Sequence, residues 1–167
     1  RWAYSERGSG VQDETTVPAG FETLPDGLGF SDSLRPYYRR LVPGDVIFGF
    51  LVREQHANFM GICHGGALMT LADIAAATSI NRRLEQRAGL PTINLAFDFL
   101  APGRLGRWLQ TRTQLVEIRR RFGFCSGVIE DGDQPVLRYS GTFYLPGHPA
   151  GGKDGPGDAV LRRVIGE

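Results

Sequence analysis

The sequence predicts an α+β fold in which an antiparallel sheet wraps one long helix. Two observations predict it. A run from about Gly65 to Leu84 is apolar on nearly every side of a helix, and four strand-like segments with short connections follow it. A helix that is apolar nearly all round must be covered on most sides. Strands joined by tight turns pair antiparallel, because a parallel crossover needs a dozen or more residues. A strongly curved antiparallel sheet satisfies both requirements.

Taken in order, residues 1 to about 20 are polar and aperiodic, with Gly8, Gly10 and Pro18, and are expected to form a flexible arm. Phe21 to Leu24 is compatible with a short helix, and Arg35 to Arg40 leads towards a strand. After the Pro43-Gly44 turn, Asp45 to Arg53 is rich in β-branched and aromatic residues and is read as a strand. Gln55 to Gly61 is a loop. The helix then runs to its polar end at Asn81-Arg82-Arg83, before the stop signals Gly89 and Pro91. From Thr92 the period becomes two, placing Ile93, Leu95, Phe97 and Phe99 on one face. Further strands are expected at about 106–118, 122–130 and 135–145, with Asp131-Gly132 as a hairpin signal. Beyond Pro146 the chain is rich in Gly and Pro and is expected to be mostly disordered, with a short helix over Ala159 to Ile165. The division is therefore an arm (1–20), one domain (21–146) and a tail (147–167).

The bulk numbers narrow the function. A chain of 167 residues with 41% hydrophobic and 22% charged residues fits one globular domain. Its net charge of +1 suggests neither a nucleic-acid footprint nor a polybasic membrane anchor. No apolar run has the length and character of a membrane span, and the stretch from Arg1 has no signal-peptide core, although the sequence begins without Met. Two cysteines, Cys63 and Cys125, do not make a disulfide framework, so a reducing cytoplasm is expected. Three histidines without ligand spacing make a metal site an unfavoured reading, and no cofactor is implied.

Asp73 stands out on the helix, because no other charged residue lies between His64 and Arg82. Its neighbours three and four positions away are Met69, Thr70, Ala76 and Ala77. Such a carboxylate must find a polar partner elsewhere, face water or take up a proton. Two readings remain open: a functional acid in a cleft, or an acid that lies on a narrow solvent face or bonds to a loop amide. His64-Gly65-Gly66 stands where the loop meets the helix. The first amides of a helix lack intrahelical acceptors and suit a carbonyl oxygen that gains negative charge. The plain alternative is a glycine-assisted turn, with His64 as a cap or a satisfied buried polar group.

Asn58, Gly61, His64, Gly65 and Gly66 form N-x-x-G-x-x-H-G-G, with Asp73 seven residues after the second glycine of the pair. This pattern resembles the signature of the hotdog-fold acyl-CoA thioesterases of the PaaI-like type, in the 4-hydroxybenzoyl-CoA thioesterase superfamily. The resemblance extends through Thr92 to Gly106 and covers roughly residues 45–146. It implies a hotdog fold, hydrolysis of an acyl-CoA or acyl-carrier thioester, and a homodimer or dimer of dimers. It implies that Asp73 acts as base or nucleophile and that Gly65 N–H polarises the carbonyl. Asn58 would hold that carbonyl or the water, Thr92 would orient the water, and His64 would support the oxyanion site. The site would be built across two subunits, Asp73 of one facing Asn58 and Gly65 of the other. Gly66, Met60 and Met69 are expected beside the substrate, with Phe48 and Phe50 as further apolar candidates. Arg104, Arg107, Arg119, Arg120 and Arg121 offer guanidinium forks for coenzyme A phosphates, and Arg104 is expected beside the substrate. Cys63 and Cys125 are read as packing residues.

Two other readings keep the fold and change the chemistry. One is a non-catalytic acyl-CoA-binding domain, a sensor or scaffold. The other is a dehydratase or hydratase, which would pair a catalytic His with a helix carboxylate; no such pattern is found.

Overall fold

In the computed structural model of the protein, residues 16–84, 89–146 and 158–166 are described. The expectation of a flexible arm falls largely on 1–15, and that of a disordered tail on 147–157; both lie outside the described residues.

The strands are β1 (Glu22–Thr23), β2 (Tyr38–Val42), β3 (Asp45–Leu51), β4 (Thr92–Phe99), β5 (Trp108–Arg119), β6 (Phe122–Asp131) and β7 (Gln134–Tyr144). The helices are α1 (Gly65–Leu84) and α2 (Asp158–Ile165). The sheet runs β1-β2-β3-β5-β6-β7-β4 and every pairing is antiparallel. It curves around α1 in a hotdog arrangement. Alanines 67, 72, 75, 76 and 77 favour the helical state. Their small side chains also let α1 sit close to the sheet. Leu68, Leu71, Ala72, Ala75, Ala76 and Ile80 join one core with Phe48, Phe50, Leu109, Ile129, Leu137 and Phe143. Gly132, at φ 58°, supplies the positive φ that the tight β6–β7 turn requires.

Three local expectations are corrected. Phe21 to Leu24 is not helical: Glu22 and Thr23 pair with Arg39 and Tyr38, so a neighbouring strand satisfies this backbone. Phe48 and Phe50 do not line an open pocket. β3 lies between β2 and β5, and both rings turn inwards and are wholly buried. Ile93 does not share the core face of β4. Thr92 and Asn94 oppose the consecutive residues Phe143 and Thr142, so Ile93 is the extra residue of a bulge and remains 58% exposed.

The fold places β1 and β4 at the two edges of the sheet. The short helix α2 lies beside β1 and β2: Val164 and Ile165 are buried, and the Arg39 guanidinium donates to the Arg163 carbonyl. No helix of the described residues is long and apolar enough to cross a membrane.

Candidate active site

Asp73 is half-buried on α1, on the side that faces β4. Thr92 Oγ1 donates to its Oδ1 at 2.9 Å. The β4 bulge makes this bond possible. Strict alternation would turn Thr92 outwards with Asn94, but the extra residue resets the alternation. Thr92 therefore stands opposite the buried Phe143 and faces the helix. Among the described residues no cation pairs with Asp73. Burial pushes its carboxyl above the usual range, and the Thr92 hydrogen bond opposes that shift. Asp73 is thus a carboxylate that accepts a proton more readily than an ordinary one.

The second group of residues surrounds the start of α1. His64 caps the helix: its carbonyl accepts from Ala67 and Leu68 N–H, and its Nδ1 accepts from Gly66 N–H at 2.8 Å. Gly65 N–H has no acceptor among the described residues, which leaves an amide donor at the positive end of the helix dipole. Asn58 shapes the preceding loop. Its Oδ1 accepts from Met60 N–H at 2.9 Å and Ile62 N–H at 3.5 Å. The oxygen is committed to the loop, and the side-chain NH2 has no partner among the described residues.

The two groups are not adjacent within one chain. Gly65 and Asp73 are eight residues apart on the same helix, about 12 Å along its axis. Asp73 and Thr92 are brought together, and so are Asn58, His64, Gly65 and Gly66, but a small acyl carbonyl cannot meet both sets in a single copy.

Met60 and Met69 are exposed, as is Phe59 beside Met60. Met69 stands one turn beyond Gly65 and one turn before Asp73, on the same helix face. The arginines separate by their partners. Arg107 forms a bidentate pair with Asp131, Arg119 pairs with Glu117, and Arg121 lies over the Tyr144 ring. Arg104 is exposed, has no side-chain partner among the described residues, and its backbone bridges Ile62, two residues before His64. Cys63 and Cys125 are buried, and burial pushes each thiol up to about 12. Neither is a ready nucleophile. A hollow of about 640 Å³ between β1, β2 and α2 contains none of the expected site residues.

Two supports were not legible in the sequence. His56 is buried beneath the loop; its carbonyl accepts from His64 N–H at 2.7 Å. Its ring is held by Arg53 N–H on Nδ1 at 3.0 Å and by the Leu34 carbonyl at Nε2 at 2.8 Å. Phe99, the last residue of β4, lays its ring against Gly65: a Cβ there would lie 3.0 Å from the ring edge. Neither residue carries a spacing signal, because its partner is distant in sequence or appears only as backbone.

Comparison with known proteins agrees with this fold. The family described as Thioesterase superfamily matches residues 60–137. A Pseudomonas aeruginosa protein named as a candidate esterase is 31% identical over 131 residues, spanning 78% of this chain and 98% of its own. Among solved structures, the PaaI protein from the phenylacetic acid degradation operon of E. coli superposes with a TM-score of 0.56 at 28% identity, covering 62% of this chain and 74% of that one. A mutant form of the phenylacetic acid degradation protein PaaI from Thermus thermophilus gives a TM-score of 0.59 at 25% identity, covering 66% and 93%. With the motif, the helix-wrapping sheet and these relatives in agreement, the chain belongs to the thioesterase superfamily, has its hotdog fold and is similar to PaaI-type proteins.

Proposed function

We propose that this protein is an acyl-CoA thioesterase that works as a homodimer, with each active site shared between two copies. The observation that carries the proposal is Asp73: a half-buried carboxylate oriented by Thr92, with no cation partner among the described residues, on the same helix as Gly65, whose N–H has no acceptor among them. The separation of about 12 Å along α1 supports a second copy, whose Gly65 would stand opposite this copy's Asp73. Among the described residues β4 ends the sheet with an unpaired edge and exposed Ile93, a surface suited to strand pairing.

In this reading the thioester carbonyl accepts hydrogen bonds from Gly65 N–H and the Asn58 side-chain amide. His64 holds the helix start by taking up Gly66 N–H. Asp73 of the other copy removes a proton from a water aimed by Thr92, and the water oxygen bonds to the carbonyl carbon. The negative charge that builds on the carbonyl oxygen is stabilised by the amide donors. Collapse reforms the carbonyl and breaks the carbon–sulfur bond, and the proton held on Asp73 passes to the departing thiolate. Sulfur leaves readily, so an aimed water, a base and amide donors suffice. Met60 and Met69 offer apolar surface to the acyl chain, and Arg104, without a side-chain partner among the described residues, offers a fork for a coenzyme A phosphate.

The test is thiol release from a panel of short, long and aromatic acyl-CoAs, with Asp73→Ala in parallel and mass determination in solution. Turnover by a dimer or tetramer, lost in the variant, is the expected result. Binding of acyl-CoA without release by the unaltered protein overturns the proposal in favour of a sensor or scaffold.

A further inference from the structure

We propose that Phe99 is a specificity-determining residue that bars acyl groups branched at the carbon next to the thioester carbonyl. This rests on the thioesterase reading above.

The argument starts from Gly65. A Cβ built on this residue would lie 3.0 Å from both Cε1 and Cζ of Phe99. Carbon atoms pack favourably at about 3.5–4.0 Å, so the ring already occupies the space of a side chain at position 65. Phe99 faces inwards on β4, opposite the buried Leu137, yet it is 55% exposed. It therefore lies past the end of the core, with one part of the ring against the Gly65 backbone and the rest uncovered. Gly65 is also the residue whose N–H has no acceptor among the described residues. A carbonyl oxygen bound to that N–H would bring its acyl substituent within a side chain's reach of the ring. Met69, one turn further along the helix, continues the apolar surface. A straight chain can follow this surface away from the carbonyl. A branch at the first carbon would project towards the ring, whose edge already fills the space beside the Gly65 backbone.

The experiment compares kcat/KM for butyryl-CoA and isobutyryl-CoA in the unaltered protein, Phe99→Ala and Phe99→Leu. Thermal unfolding checks that each variant folds, and Phe99→Leu serves if the alanine variant does not. The expected result is a rise of about tenfold or more in the isobutyryl-to-butyryl ratio in Phe99→Ala, the scale of discrimination that one or two methyl-sized groups provide, with a smaller rise in Phe99→Leu. A second measurement uses Gly65→Ala, which retains the N–H but adds the clashing Cβ. It should lose turnover alone and recover part of it when combined with Phe99→Ala. If the unaltered protein hydrolyses butyryl-CoA and the ratio stays within about twofold in both Phe99 variants, the inference is wrong and the thioesterase reading stands. If the unaltered protein hydrolyses no thioester, both fall.

Discussion

Asp73 and Asp45 each share a hydrogen bond with a hydroxyl across the packing between α1 and the sheet, at 2.9 and 2.7 Å. The arrangement is reversed. At Asp73 the carboxylate is on the helix and the hydroxyl, Thr92, on an edge strand. At Asp45 the hydroxyl, Ser79, is on the helix and the carboxylate on an interior strand. Ser79 is buried and its hydroxyl also meets Thr113 Oγ1 at 3.0 Å, so that end of the helix is tied into a closed network. Asp73 has only the Thr92 bond among the described residues. The same pair of chemical groups thus serves to anchor α1 towards its C-terminal end and leaves a proton acceptor available near its middle. The difference lies in what else each hydroxyl and carboxylate can reach.

That contrast gives four expectations, from the largest effect to the smallest. Asp73→Asn keeps the size and the Thr92 neighbour but removes the base. Turnover should fall by about 10²–10⁴-fold, measured as thiol release, with circular dichroism unchanged. A variant that retains turnover would remove Asp73 from the reaction. Ser79→Ala should do the reverse, lowering unfolding free energy by about 1–3 kcal/mol in urea titration without a comparable loss of turnover. Equal losses in both properties would dissolve the distinction between anchor and working acid.

The third expectation concerns pH. Turnover requires ionised Asp73, so activity should fall as pH drops through a value raised by burial above the ordinary 3.8. Thr92 opposes that rise by donating to the carboxylate. Thr92→Val should therefore move the acidic limb of the kcat profile to still higher pH, and an unmoved limb would deny the bond its electrostatic role.

The fourth is the smallest. A carboxyl whose folded pKa lies above its unfolded value favours the fold when protonated and loses that contribution as pH rises through the folded value. Asp73→Asn should then raise Tm slightly near neutral pH. The gain should shrink as pH falls through the raised value and level off below the ordinary carboxylate range. A constant difference across that range would show that Asp73 titrates alike in both states.

Much of the fold is legible in the sequence. The helix over Gly65–Leu84 and strands β3 to β7 come from periodicity and turn residues, which act over a few neighbours. The Asn58, Gly61, His64-Gly65-Gly66 and Asp73 pattern likewise lies on one continuous stretch. The departures from local pattern are tertiary in origin. Glu22-Thr23 became strand because β2 was there to pair with it. Phe48 and Phe50 are sealed because β3 is interior. Ile93 is exposed because β4 carries a bulge, and the same bulge turns Thr92 towards Asp73.

By itself, then, the sequence determined the long buried helix, the run of antiparallel strands and the isolated acid, because hydrophobic period and charge placement are properties of adjacent residues. Only the tertiary structure decided which hydroxyl meets that acid, that His56 supports the loop from below, and that Phe99 closes against Gly65. Those depend on strand register and on elements far apart in the chain, where one extra residue in an edge strand reverses which side chain faces the helix.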